Sequence, residues 1–273
     1  MKLADQLVQT IATYQSCAVA FSGGVDSAVV AKAAFLALGE SAVAITARSP
    51  SVPRNEIEEA IRVAAEIGIR HEIVDTQETT NPLYIQNAPD RCFHCKTELY
   101  SQIELLVSAI DAPLIINGAN VDDQGDHRPG MIAAQNHQVR SPLIECGLTK
   151  ADVRALAQHW NLSVHDKPAS PCLASRIAYG EEATPERLAM IEAAEDFLRA
   201  RGLREFRVRY HRGDIARIEV TPERIAELAT DPLRTELASK LRELGFRAVT
   251  LDLEGFRSGN LNGFVDLSAV RLQ

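Results

Sequence analysis

The six residues Ser22-Gly23-Gly24-Val25-Asp26-Ser27 constrain the fold of this chain more than any other stretch. The run before them, Cys17-Ala18-Val19-Ala20-Phe21, is short and apolar, as a buried parallel strand requires. The run after them, Ala28 to Leu38, is rich in strong helix formers and is closed by Gly39. The turn therefore delivers a strand into the start of a helix, where free backbone N–H groups and the positive end of the helix dipole favour a phosphate. Gly23 and Gly24 let the main chain approach such a ligand without a Cβ in the way. Ser22 and Ser27 can add hydroxyl donors, and Asp26 can hold a magnesium ion or cap the helix.

The loop lacks the Lys-Ser/Thr pair with which a Walker loop reaches the outer phosphates. A pyrophosphate-gripping loop without that lysine suits cleavage between the α- and β-phosphates. In these residues the sequence resembles the PP-loop ATP pyrophosphatase superfamily. The resemblance implies ATP and Mg2+ as cofactors and adenylation of a carbonyl or carboxylate oxygen, followed by displacement of AMP by nitrogen or sulfur.

The pattern continues as alternating strands and helices. Ser41–Ala47, His71–Asp75 and Leu114–Gly118 read as further strands, with an amphipathic helix from Arg54 to Ile67 and a last strand expected over Leu162–His165. The expected fold class is α/β, a doubly wound parallel sheet of Rossmann-like type with its ligand at the carboxyl ends of the strands, and a smaller C-terminal α+β domain. The boundary is expected between residues 166 and 167, which makes 1–166 the nucleotide domain and 167–273 the substrate-binding domain.

The chain has 273 residues, a formal net charge of −8 and a pI near 5.4, which opposes a broad nucleic-acid-binding face. It contains no run of about 18 apolar residues, so neither a membrane partner nor a targeting segment is expected. Five cysteines, an odd number, do not read as a disulfide framework; a cytoplasmic location is expected, where clustered thiols bind metal or do chemistry.

Three of those cysteines carry chemistry. Cys92 and Cys95 share one face of a helical turn and can bind one metal or cluster, while His94 between them points elsewhere. Cys172 follows two prolines, and Arg176 four residues on would favour its thiolate, the form that attacks and that binds metal. Cys17 and Cys146 match no motif and read as packing thiols. The loop from Asn117 to Gly130 carries Asp122 and Arg128 to the end of a strand, where nucleotide, magnesium and acceptor should meet.

Beyond Cys172, Thr184-Pro185-Glu186-Arg187 and Thr221-Pro222-Glu223-Arg224 each read as a threonine-capped helix start. Between them Phe206–Tyr210 and Ile215–Val220 form a hairpin about a His-Arg-Gly-Asp turn, with Arg207 and Arg209 on one face. Paired arginines on a strand can clamp a phosphate or carboxylate.

Together the Ser22 loop, the Gly118–Gly130 loop, Ser170–Ile177, the Arg207/Arg209 hairpin and Leu253–Gly259 resemble one PP-loop family, the LarE sulfur transferases that build the nickel-pincer nucleotide of lactate racemase. The resemblance spans nearly the whole chain. It implies that Ser22, Gly23, Gly24, Asp26, Ser27 and Asp122 bind ATP, and that a carboxylate of pyridinium-3,5-biscarboxylic acid mononucleotide is adenylated and converted to a thiocarboxylate. By the same resemblance Arg207 and Arg209 hold the substrate phosphate, with Arg128, Ser175 and Arg176 also on the substrate's side, and Glu219 lies near Cys172. Catalysis is assigned to Cys172, Asp26 and Arg176, and a homo-oligomer, a hexamer in the family, is implied.

In family members with only the cysteine matching Cys172, that residue gives up its sulfur and becomes dehydroalanine. With Cys92 and Cys95 present, the expectation is instead that Cys92, Cys95 and Cys172 hold a [4Fe-4S] cluster whose open iron takes an added sulfide. Either sulfide or cysteine-derived sulfur is then the second substrate. Two other functions fit the loop: an ammonia-using amide synthetase like NAD or GMP synthetase, and a nucleotide- or zinc-binding domain without turnover.

Overall fold

A computed structural model describes residues 2–110, 114–124 and 129–257. The chain divides into two compact units, Met1–Glu78 with Cys92–Ser170, and Thr79–Arg91 with Pro171–Gln273. The expected division at 166/167 treats the chain as two consecutive stretches. The second unit instead takes in Thr79–Arg91 from inside the first.

The first unit runs α1 (Lys2–Ala12), β1 (Cys17–Ala20), α2 (Val25–Leu38), β2 (Ala42–Arg48), α3 (Arg54–Ile67), β3 (Arg70–Asp75). After α4 (Pro82–Ile85), which belongs to the second unit, come α5 (Arg91–Ile110), β4 (Ile115–Ile116), α6 (Pro129–Asn136), α7 (Pro142–Glu145) and α8 (Lys150–His159). The four strands form one parallel sheet in the order β3-β2-β1-β4, with Ala18 opposite Val43 on one side and Ile115 on the other. Parallel strands need crossovers, which the intervening helices supply, and both faces of the sheet are covered. Side chains alternate through the pleat. Cys17, Val19, Ala42 and Ala44 pack with Leu7, Ile11, Val29, Val30 and Leu156 from α1, α2 and α8. Ala18, Val43 and Ile45 pack with Leu99, Tyr100, Ile103 and Ala133 from α5 and α6.

Strand order reverses direction between β1 and β4, because β2 lies on one side of β1 and β4 on the other. Such a switch point opens a crevice at the carboxyl ends of the two strands. The Ser22–Ser27 loop leaves β1 and the Asn117 loop leaves β4 at that place. No strand forms over Leu162–His165. Leu162 and Val164 are buried in alternation as in a strand, but His165 N and Lys167 N bond to Leu162 O and Val164 O, each at 3.1 Å, in successive turns.

The second unit contains α4, then α9 (Pro185–Arg199), β5 (Phe206–His211), β6 (Ile215–Val220), α10 (Pro222–Leu228), α11 (Leu233–Glu243) and β7 (Ala248–Leu251). The sheet is mixed, in the order β5-β6-β7: β5 and β6 are the expected antiparallel hairpin, and β7 joins parallel to β6. Gly213 and Asp214 both take positive φ in the hairpin turn, which glycine and aspartate tolerate best. The two helix starts alike in sequence differ in structure. Thr184 Oγ1 accepts from Arg187 N, whereas the Thr221 side chain makes no cap bond. No described helix is long and apolar enough to cross a membrane.

Candidate functional site

In the first unit the loop is built as its residues require. Gly23 has φ +69°, and a Cβ there would stand 2.8 Å from Ala60 Cα of α3, so only glycine fits. Ser27 Oγ bridges the loop, 3.1 Å from Gly24 O, to which it donates, and 3.2 Å from Ser22 N, from which it accepts. The helix cap is Gly24, which has no side chain to occupy the first turn of α2. Those N–H groups are the anion-binding end of a helix dipole. Behind the loop, Thr46 Oγ1 donates to Phe21 O at 2.8 Å and lies 2.8 Å from His71 Nε2. A hydroxyl donating to the carbonyl accepts from the imidazole, which makes Nε2 the protonated nitrogen. Burial holds the His71 pKa below the ordinary histidine value.

Asp26 does not cap α2. Its carboxylate accepts from Asn120 Nδ2 at 3.1 Å and forms an ion pair with Lys150 Nζ. Lys150 opens α8, whose Thr149 cap and Asp152 form a capping box, and its backbone N–H donates to Asp122 Oδ2 at 2.8 Å. The approach of these segments depends on Gly118: a Cβ there would meet Ser27 N at 2.8 Å and Asp26 C at 2.9 Å. The sequence reads Lys150 only as a helix start, and Asn120 and Gly118 only as part of the Asn117–Gly130 loop. The absent Walker lysine had left a phosphate loop without a cation, and that was the signal to look elsewhere in the chain for one. Hard oxygen donors at Asp26 and Asp122 suit magnesium, which takes one or two carboxylates and the phosphates of its nucleotide. Arg128 lies outside the described residues, as do Ser258 and Gly259.

The cysteines sort by environment. Burial pushes Cys17 up to about 12, so it is an inert core thiol, and Cys146 donates to Thr10 Oγ1 at 3.3 Å. Cys92 is exposed and Cys95 half-buried in the first turn of α5, in the first unit; Cys172 is half-buried in the second. Among the described residues no three His, Cys, Asp or Glu side chains stand together as a metal site. The [4Fe-4S] cluster expected of Cys92, Cys95 and Cys172 gains no support from the described residues, and no step below passes through one.

In the second unit Cys172 caps a 3-10 turn, Leu173–Arg176. Its carbonyl accepts from Ser175 N at 3.0 Å, Ser175 Oγ at 2.7 Å and Arg176 Nη1 at 2.9 Å. The Arg176 guanidinium also bonds Pro171 O and pairs with Glu195 at 3.1 Å, both side chains 3% exposed. It thus holds the backbone around Cys172, and none of its bonds among the described residues goes to the sulfur. Arg209 pairs with fully buried Glu219 at 2.8 Å and donates to Ser175 O at 3.0 Å. Arg217 reaches Glu219 at 3.2 Å and Asp252 at 2.7 Å.

Arg207 is different. Its Nη1 donates to Phe206 O at 2.6 Å and its guanidinium stacks 5.0 Å from the Phe256 ring, but among the described residues no carboxylate pairs with it. Burial, then the neighbouring Arg176 charge, hold its pKa at about 10. A half-buried cation not directly paired with a carboxylate among the described residues suits a phosphate or carboxylate.

The NAD synthase family matches residues 2–97. Over 258 residues the chain is 45% identical to an uncharacterised Synechocystis protein, covering 94% of this chain and 96% of that one. It is 36% identical over 257 residues to the pyridinium-3,5-bisthiocarboxylic acid mononucleotide synthase of Lactiplantibacillus plantarum, covering 94% and 92%. An uncharacterised Methanocaldococcus jannaschii protein is 26% identical over 242 residues, 88% and 90% of the two chains. With its pyrophosphate-loop fold and near full-length identity to a synthase of that kind, the chain belongs to the LarE-type family of PP-loop sulfur transferases.

Proposed function

We propose that this protein is an ATP-dependent sulfur transferase that acts on pyridinium-3,5-biscarboxylic acid mononucleotide in nickel-pincer nucleotide biosynthesis. The observation that carries the reading is the start of α2: a glycine cap without a side chain, a hydroxyl-lined loop and an aspartate, all at the switch point of a parallel sheet. A substrate carboxylate oxygen attacks the α-phosphorus of ATP, and pyrophosphate leaves toward the loop. The N–H groups of α2 take up the charge of the leaving group, and the Asp26 and Asp122 carboxylates hold the magnesium of MgATP. Lys150, paired with Asp26 at the start of α8, would supply the cation that the loop itself lacks.

The acyl adenylate then presents a good leaving group to sulfur. Cys172 is the proposed donor: its thiolate adds to the acyl carbon, AMP departs and a thioester forms. Loss of the Cys172 Cα proton with cleavage of Cβ–S completes the transfer, leaving a thiocarboxylate and dehydroalanine. Arg207 and Arg209 are assigned to the substrate phosphate, Ser175 and Arg176 to the shape of the cysteine turn, and Glu219 to holding Arg209. The match of residues 2–97 to NAD synthase favours one other reading, amide formation with ammonia after the same adenylation. Incubating purified protein with MgATP and the dicarboxylate mononucleotide separates them. Thiocarboxylate product with one AMP and one pyrophosphate supports sulfur transfer; an amide formed only with ammonia overturns it.

A further inference from the structure

The turn that carries Cys172 is held by a segment from far upstream. Thr79–Arg91 belongs to the second unit, and its Asn87 is fully buried with φ +54°. That left-handed conformation is uncommon for any residue with a side chain, and asparagine is among the types that tolerate it. The Asn87 Nδ2 lies 3.4, 3.0 and 2.9 Å from the carbonyl oxygens of Ile177, Ala178 and Glu181. Two amide hydrogens are thus shared among three acceptors. Its Oδ1 accepts from Arg91 Nη1, and the same nitrogen donates to Ala174 O at 2.9 Å. The Asn87 carbonyl in turn accepts from Gly180 N at 3.5 Å.

We infer that Asn87 and Arg91 are positioning residues for the cysteine turn. Arg176 and Ser175 secure the Cys172 carbonyl from within the turn, whereas Asn87 and Arg91 secure the carbonyls of 174, 177, 178 and 181 that follow it. The direction of the Cys172 thiol is set between these two sets of bonds. Buried polar side chains that bond several backbone carbonyls specify one conformation, because any other leaves several acceptors unsatisfied. The consequence for sulfur transfer rests on the function proposed above; the positioning of the thiol does not.

The test uses the full chain and two readouts. One is the rate at which iodoacetamide alkylates Cys172, followed by mass spectrometry of its peptide. The other is the ratio of thiocarboxylate formed to pyrophosphate released in a single turnover. Asn87→Gly keeps the left-handed backbone without strain and removes the side chain with its amide, so it separates the two uses of the residue. The expected results are an alkylation rate changed at least fivefold and a thiocarboxylate-to-pyrophosphate ratio lowered at least tenfold. Arg91→Met should move both readouts the same way, and Arg91→Lys, which retains a donor for Ala174 O, should recover part of the loss. Wild-type alkylation of Cys172 in both Asn87→Gly and Arg91→Met would overturn the inference. If the wild-type protein made no thiocarboxylate, the proposed function would fail while alkylation still decided the role of these two residues.

Discussion

Arg207→Met exchanges fold stability against substrate binding, and both sides can be worked from the geometry. Burial and the Arg176 charge bring the Arg207 pKa from 12.5 to about 10. That lowering corresponds to about 3 kcal/mol of cost for carrying the charge in the folded protein. Because the folded value lies below the unfolded one, the cost is fully present at neutral pH and fades only as pH rises through about 10. Two contacts oppose it. The bond to Phe206 O is worth about 1 kcal/mol and the stack on Phe256 about 0.5–1 kcal/mol. Methionine retains an unbranched apolar stem and loses all three effects, for a net gain of about 1 kcal/mol. The urea midpoint should therefore rise with no change in slope. The same substitution removes a charge-assisted bond to the substrate phosphate, worth about 1.5–3 kcal/mol. Calorimetry should then show mononucleotide binding weakened by about 10- to 150-fold. A dephosphorylated nucleoside should bind wild type and variant alike. A variant that unfolds at lower urea and still binds the mononucleotide at wild-type affinity would refute the reasoning and leave Arg207 as a structural stack on Phe256.

Asp26→Ala should abolish pyrophosphate release while shifting the melting temperature by only a few degrees, since the ion pair it removes is partly exposed. Lys150→Ala should raise KM for ATP by about tenfold or more without weakening binding of the mononucleotide; equal loss of both would place the lysine outside the nucleotide site. Cys172→Ser should retain pyrophosphate release and lose thiocarboxylate formation, and the wild-type chain should lose about 34 Da once, in a single turnover, as its thiol sulfur departs. Repeated turnover with added sulfide and about four irons per chain after anaerobic reconstitution would instead favour a cluster. Burial holds His71 and His211 below the ordinary 6.5, so the unfolded chain takes up their protons first. Stability should therefore fall as pH drops through about 6.5, and His71→Gln should flatten that part of the profile in urea titrations at successive pH values.

Much of the first unit was legible because its signals are local. Strand, turn and helix around Ser22–Ser27 follow from an apolar run, two glycines and a helix-forming stretch, and the Arg54–Ile67 helix follows from its apolar periodicity. Local signals also misled. Leu162 and Val164 alternate like a strand because both are buried, yet their backbone bonds are satisfied within turns, which periodicity does not report. Thr221 repeats the residues of Thr184 without its cap bond, since the hydroxyl rotor is set by surroundings rather than by neighbours in sequence.

The chemical types in the two units, a pyrophosphate loop and an aspartate in the first, a cysteine after two prolines and paired arginines in the second, are properties of the sequence alone. Their pairing is not. Lys150 meets Asp26 across 124 residues and Arg91 meets Ala174 across 83, separations at which no pattern along the chain selects one partner over another. Arg207 and Arg209 look equivalent on one strand, but the fold pairs Arg209 with the Glu219 carboxylate, and among the described residues no carboxylate pairs with Arg207. Which of two like charges is neutralised depends on what the fold carries to within a few ångströms, a distance that no pattern along the strand reports.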